Sequence, residues 1–162
     1  MTETHHLNAL ESELKNLLAH YHAPAVRYQN LAFSSKDFLI LDKLGEQLKK
    51  LLPAYDFWNG NNPENHNAPA APCYRRDFIQ AVFQTPHSGL IIQQPHYWLQ
   101  TWDLLEKQAF WSTLSTAHGG HNVIVIFSEG HDFASINQHY FNPQPLTSTA
   151  ATLWVSSKTS LV

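Results

Sequence analysis

The stretch Asn122-Val123-Ile124-Val125-Ile126-Phe127 decides the fold. It is an unbroken apolar run, β-branched at four successive positions, and too short for a buried helix. A strand apolar toward both faces needs cover on both sides, as at the centre of a parallel sheet. Gly119-Gly120 ends whatever precedes it. A similar run, Gly89-Leu90-Ile91-Ile92, lies upstream, and Thr152–Ser156 (TLWVS) supplies a last strand. Between the first two runs, Tyr97–Ala117 reads as one helix with Trp98, Trp102, Leu105, Ala109 and Leu114 on one side.

Toward the N-terminus the same alternation continues. Thr2–His22 has leucines at 7, 10, 14, 17 and 18, a helical stripe that Pro24 stops. Ala25–Phe33 alternates loosely and reads as a strand. Ser34 and Ser35 offer a cap for a helix over Asp37–Leu52, whose apolar face is Phe38, Leu41, Leu44, Leu48, Leu51 and Leu52. Lys49 and Lys50 suit its C-terminal dipole, and Pro53 ends it. Arg75–Phe83 reads as a further helix, Gly130–Tyr140 as a short one, and Asn142–Pro145 as a turn. Residues 59–72, NGNNPENHNAPAAP, hold five Asn and three Pro without apolar periodicity and are expected to form a long flexible loop. Helices alternating with buried strands predict an α/β fold: a three-layer domain with a mostly parallel central sheet flanked by helices, covering residues 1–162 as a single domain.

Composition narrows the function. The chain has 162 residues, 10 Lys+Arg against 13 Asp+Glu, and a formal charge of −3, which gives no basic field for nucleic acid. No apolar run approaches the roughly 20 residues that span a bilayer, and the N-terminus lacks a signal-peptide pattern. The lone cysteine, Cys73, excludes an internal disulfide and fits a reducing cytoplasm. Two features stand out: 11 His, and an aromatic set of 5 Trp, 6 Tyr and 9 Phe.

The histidines do not make a local metal motif. His118 and His121 precede the central strand while Glu129, His131 and Asp132 follow it, about 16–20 Å away along a strand of that length. His20 and His22 are two apart at a helix end, and no HExxH or Cys/His cluster of zinc-finger spacing occurs. No metal and no cofactor is expected. Glu129, His131 and Asp132 form the most reactive-looking cluster, with a carboxylate to orient His131 as a general base. Capping by Ser128 and Asp132 after a strand explains the same residues without catalysis. Arg75 and Arg76 lie close enough to Cys73 to lower its pKa, and they are the strongest basic pair for a phosphate contact.

Tyr97, Trp98, Trp102, Phe110 and Trp111 wrap more than one face of their helix. Such a helix is buried in its own domain or against another chain. Trp and Tyr concentrate in interface hot spots, which makes this set the candidate partner-binding surface.

The order of pieces, with a strand at Gly89–Gln93, a helix and a strand at Val123–Glu129, resembles a P-loop ATPase core of the RecA or AAA kind at its Walker B and sensor strands. Asn30-Leu31 and the SGLII strand are similar to BrxF, the small P-loop component of BREX phage-defence systems. The departures matter as much. No GxxxxGK[ST] occurs, so nothing wraps a triphosphate, and Gln93-Gln94 stand where the acidic pair for Mg²⁺ belongs. The resemblance therefore implies a nucleotide-free relative.

Three functions follow as expectations. The first is a non-catalytic interaction subunit of a cytoplasmic assembly, with another protein subunit as partner and bacterial antiviral defence as the setting the resemblance implies. The second is a small hydrolase or metal-dependent enzyme using Glu129, His131 and Asp132. The third is a nucleic-acid accessory protein using Arg75 and Arg76.

Overall fold

A computed structural model describes residues 2–21, 30–61, 68–84, 89–116, 122–130 and 141–156. In chain order the elements are α1 (Thr2–Tyr21), β1 (Leu31–Ser35), α2 (Phe38–Leu51), β2 (Asp56–Asn59), α3 (Arg75–Gln84), β3 (Gly89–Gln93), α4 (His96–Leu99), α5 (Leu104–Thr116), β4 (Asn122–Ser128), β5 (Phe141–Pro145) and β6 (Thr152–Ser156). The expected helix at Gly130–Tyr140, the Gly119-Gly120 stop and the Ala25–Gln29 part of the expected strand lie outside the described residues.

The strands form one sheet in the order β2-β3-β4-β1-β6-β5. β4 runs through its middle, parallel to β3 on one edge and to β1 on the other. All seven of its residues are buried. Alternate side chains serve opposite faces. Val123, Val125 and Phe127 enter a cluster with Phe78, Trp98, Phe110 and Trp111, from α3, α4 and α5. Ile124 and Ile126 enter another with Leu14 of α1 and Leu41, Leu44 and Leu48 of α2. The connections explain this division. From β1 the chain travels to the far edge at β2, then returns through β3 to β4. Right-handed crossovers moving in opposite directions put their helices on opposite faces.

The sheet is mixed, not mostly parallel. β6 pairs antiparallel with β1, and β5 pairs antiparallel with β6 from Phe141↔Ser156 to Pro145↔Thr152. Asn142–Pro145 is therefore strand where a turn was expected. A parallel return needs a crossover of about a dozen residues or more. Residues 146–151 are too few, and only a hairpin fits. Pro143 and Pro145 are tolerated because β5 is an edge strand.

Three other local expectations change. Phe57 and Trp58 sit in a strand, β2, immediately before the expected loop. The cap of α2 is Asp37, whose carboxylate accepts from Leu39 N at 2.9 Å; Ser34 and Ser35 belong to β1. The helix expected over Tyr97–Ala117 is two helices. Asp103 Oδ1 accepts from Glu106 N at 2.8 Å, and Asp103 N donates back to Glu106 Oε1 at 3.3 Å, a capping box that starts α5 afresh. The break sends Trp98 Nε1 to the carbonyl of Pro69 at 2.9 Å and Trp102 Nε1 to that of Cys73 at 2.7 Å. Residues 68–73, the second half of the expected loop, are thereby tied to the core.

Two polar contacts fix the outer elements. Buried Asn30 donates to Leu114 O at 2.7 Å and accepts from Val123 N at 2.9 Å, joining α5 to the start of β4. Glu13 of α1 accepts from the amides and hydroxyls of both Thr147 and Ser148. Burial alone would raise its pKa, but these hydrogen bonds together hold it below the usual carboxylate value.

The aromatic set is interior. Trp98, Trp102, Phe110 and Trp111 are 2%, 6%, 0% and 2% exposed. Their rings meet Phe78 and Phe127, with Trp111–Phe127 centroids 5.1 Å apart and Phe78–Trp98 5.4 Å apart. Trp111→Ala is expected to destabilise the fold by about 3–5 kcal/mol, measured by urea unfolding. A cost below about 0.5 kcal/mol, as at a surface position, would contradict this packing.

Candidate functional site

Open α/β sheets place ligands beyond the carboxyl ends of their parallel strands, where neighbouring connections leave toward opposite faces. Here that place is the row of ends of β3, β4 and β1. Gln93 and Gln94, Ser128 and Glu129, and Ser34 and Ser35 stand side by side there. β1 leads into α2 on one face, and β3 leads into α4 and α5 on the other.

Side chains of the protein bridge this crevice. Gln93, only 4% exposed, donates through Nε2 to Leu41 O at 3.4 Å and to Asp42 Oδ1 at 3.2 Å, both on α2. Its amide oxygen lies against Gly45, and any Cβ at that position would overlap it. That explains a glycine inside a helix, where it costs about 1 kcal/mol relative to alanine. Gln94 adopts a left-handed backbone (φ 55°) and donates to Ile126 O at 3.3 Å, turning the chain sharply out of the sheet. Among the described residues, the cavity beside Phe38, Asp42, Gln94 and His96 is about 10 Å³. That holds one water molecule.

The neighbouring ends are closed by hydrogen bonds. Ser34, fully buried, donates to Glu129 Oε2 at 3.0 Å and accepts from Trp154 Nε1 at 2.8 Å. Glu129 N donates to Ser35 O at 3.1 Å. Ser35 Oγ donates to Ala150 O at 2.7 Å and accepts from Asp37 N at 3.1 Å. Only Lys36 and Asp37 link β1 to α2. The amino end of α2, where a P-loop fold would receive phosphate, already faces the Asp37 carboxylate. A two-residue link with an acidic cap cannot wrap a triphosphate.

Of the expected catalytic trio, Glu129 is placed and engaged with Ser34, while His131 and Asp132 lie outside the described residues, as do His118 and His121. Among the described residues, no group of three or more His, Cys, Asp or Glu is placed to hold a metal ion. Cys73 departs from expectation. Burial, and then the charge of Asp77, push its thiol up to about 11, so the nearby arginines do not activate it.

The aromatic partner surface also changes. Trp98, Trp102, Phe110 and Trp111 are spent on the core, and Tyr97 is half-buried beside Gly60. Among the described residues, the large apolar side chains that face outward are Phe38, Leu39, Tyr74, Leu104 and Leu105. One continuous helix would place Leu105 on the buried stripe. The restart at Asp103 shifts the phase and leaves Leu105 75% exposed. Phe38 opens α2, nearly a full turn before its buried face settles on Leu41, Leu44 and Leu48. Arg75 and Arg76 lie on the first turn of α3, at an open groove toward α5. No helix among the described residues is long and apolar enough to cross a membrane.

No protein-family model, curated protein or solved structure matches this chain.

Restoring an acid at the end of β3 tests whether this crevice is a packed interior or a dormant metal site. Gln93→Glu is expected to cost about 2–3 kcal/mol at neutral pH, because it removes two donated hydrogen bonds and buries a charge beside Asp42. Burial raises that carboxyl's pKa in the folded state, so stability should recover as pH falls toward about 5. Urea denaturation at two pH values measures it. An undiminished stability with saturable Mg²⁺ binding would contradict a packed crevice.

Proposed function

We propose that this chain is a non-catalytic, nucleotide-free interaction subunit of a larger protein assembly. The observation that carries this is the bridged crevice: among the described residues, Gln93 lies across the strand ends, Asp37 caps α2, and the cavity beside them holds about one water. A domain that spends the strand-end ligand position of its own fold on internal hydrogen bonds is left with its outer faces and grooves for recognition. The RecA- or AAA-like resemblance fits this reading as a degenerate P-loop relative. The two separate packing clusters support a three-layer arrangement. A BREX-like phage-defence complex in the cytoplasm is the setting that the BrxF resemblance suggests. The exposed side chains, not the aromatic core, are then the contact groups.

Native purification followed by size-exclusion chromatography with light scattering tests the proposal. The chain should elute in a complex of fixed stoichiometry with another protein. Elution solely as a free monomer of its own mass overturns it.

A further inference from the structure

We propose that the open groove between α3 and α5 binds an extended acidic segment of a protein partner. This rests on the interaction-subunit reading and names the chemistry of the partner. The groove encloses about 590 Å³, lined by Arg75, Arg76, Ile79, Gln80 and Gln84 of α3 and Thr113 of α5. That volume lies in the range of about 300–1,000 Å³ in which proteins seat ligands.

The lining has one chemical character. Two guanidinium groups offer forked donors, and neither makes an ion pair with a described residue. Two glutamine amides and a hydroxyl add donors and acceptors suited to a peptide backbone. Among the described residues no carboxylate lines the groove: Asp77, the acid of α3, instead faces the Cys73 thiol. Guanidinium pairs with carboxylate in a bidentate, charge-assisted geometry, which selects acidic side chains over neutral ones.

Length fits the same occupant. The ten residues of α3 span about 15 Å at a helical rise, which matches four or five residues of extended peptide. Ile79 gives one apolar contact in the middle of the row. Single-stranded nucleic acid fits less well. Among the described residues no aromatic ring lines the groove for base stacking, and two arginines reach few phosphates. A small anion alone would gain little, since Arg76, Gln80 and Gln84 are exposed and a lone contact there is screened by water.

Fluorescence anisotropy with the full chain, at about 50 mM salt where charge contacts are least screened, tests the proposal with three labelled probes. These are hexaglutamate, a serine-glycine hexapeptide and an oligothymidylate of the same charge as the acidic peptide. Hexaglutamate should bind saturably and the neutral peptide should not. Arg75→Ala/Arg76→Ala should weaken it by about tenfold or more, with Arg75→Lys/Arg76→Lys in between because lysine lacks the fork. Gln80→Ala/Gln84→Ala, at the other end of the row, should weaken it by about threefold. Arg76, Gln80 and Gln84 are exposed and Arg75 is partly buried, and an unchanged circular-dichroism melt shows that the variants fold. Absence of hexaglutamate binding, or equal binding by the alanine pair, overturns the proposal. Tighter binding of the oligothymidylate also overturns it, in favour of nucleic acid. Failure here leaves a host-purified complex intact, whereas failure of the subunit reading appears as a free monomer whatever the peptide does.

Discussion

A seven-residue strand with no exposed side chain exists only if both faces and both edges are covered. β4 sets that demand, and the rest of the domain answers it. β1 and β3 cover its edges; α1 and α2 cover the side of Ile124 and Ile126; α3, α4 and α5 cover the side of Val123, Val125 and Phe127. The heavy aromatic content belongs to this second cover. Trp58, Phe78, Trp98, Phe110 and Trp111 form a continuous layer of rings, and large flat side chains bury much area per residue with little rotamer entropy. The indole N–H groups of Trp98 and Trp102 also hold residues 69–73 without adding a secondary-structure element.

Covering β4 also determines what happens at its carboxyl end. With β1 and β3 pressed on either side, the three strand ends point into the gap between α2 and α4, where related architectures leave room for a ligand. Gln93 crosses that gap to α2, and a glycine at position 45 makes the crossing sterically feasible. Ser34, Glu129 and Trp154 close the adjacent gap by hydrogen bonding. In a low-dielectric interior such donors and acceptors are costly unless matched, and here they match one another. This polar seam is a structural joint between the two helix layers.

Much of this fold is legible in the amino-acid sequence alone. The VIVIF run, the leucine spacing of α1 and α2, and the hydrophobic Gly89–Ile92 run each belong to one period, and all formed as expected. What escaped was information carried by short or paired signals. β2 has four residues, too few for periodicity to separate it from the loop that follows. The antiparallel hairpin was implied by the brevity of residues 146–151, but the prolines of β5 read as turn residues because edge position is a tertiary property. The capping box of Asp103 and Glu106 was present in sequence, yet aromatic residues on both sides of it suggested a single helix. Gln93-Gln94 were rightly seen as lacking charge. That Gln93 bridges the crevice depends on its distance from Asp42, fifty-one residues away in the chain, and no local pattern encodes that. Cys73 shows the same limit: adjacent arginines suggested activation, while burial and Asp77 act oppositely.

A chain with a closed crevice and an acid-capped α2 should be indifferent to nucleotide. Isothermal titration of the purified protein with Mg²⁺-ATP measures this directly. No saturable heat is predicted up to about 1 mM, a concentration at which even a binding free energy near −4 kcal/mol would half-fill the site. A saturable isotherm of one nucleotide per chain, weakened when Lys36 is replaced by alanine, would contradict the account.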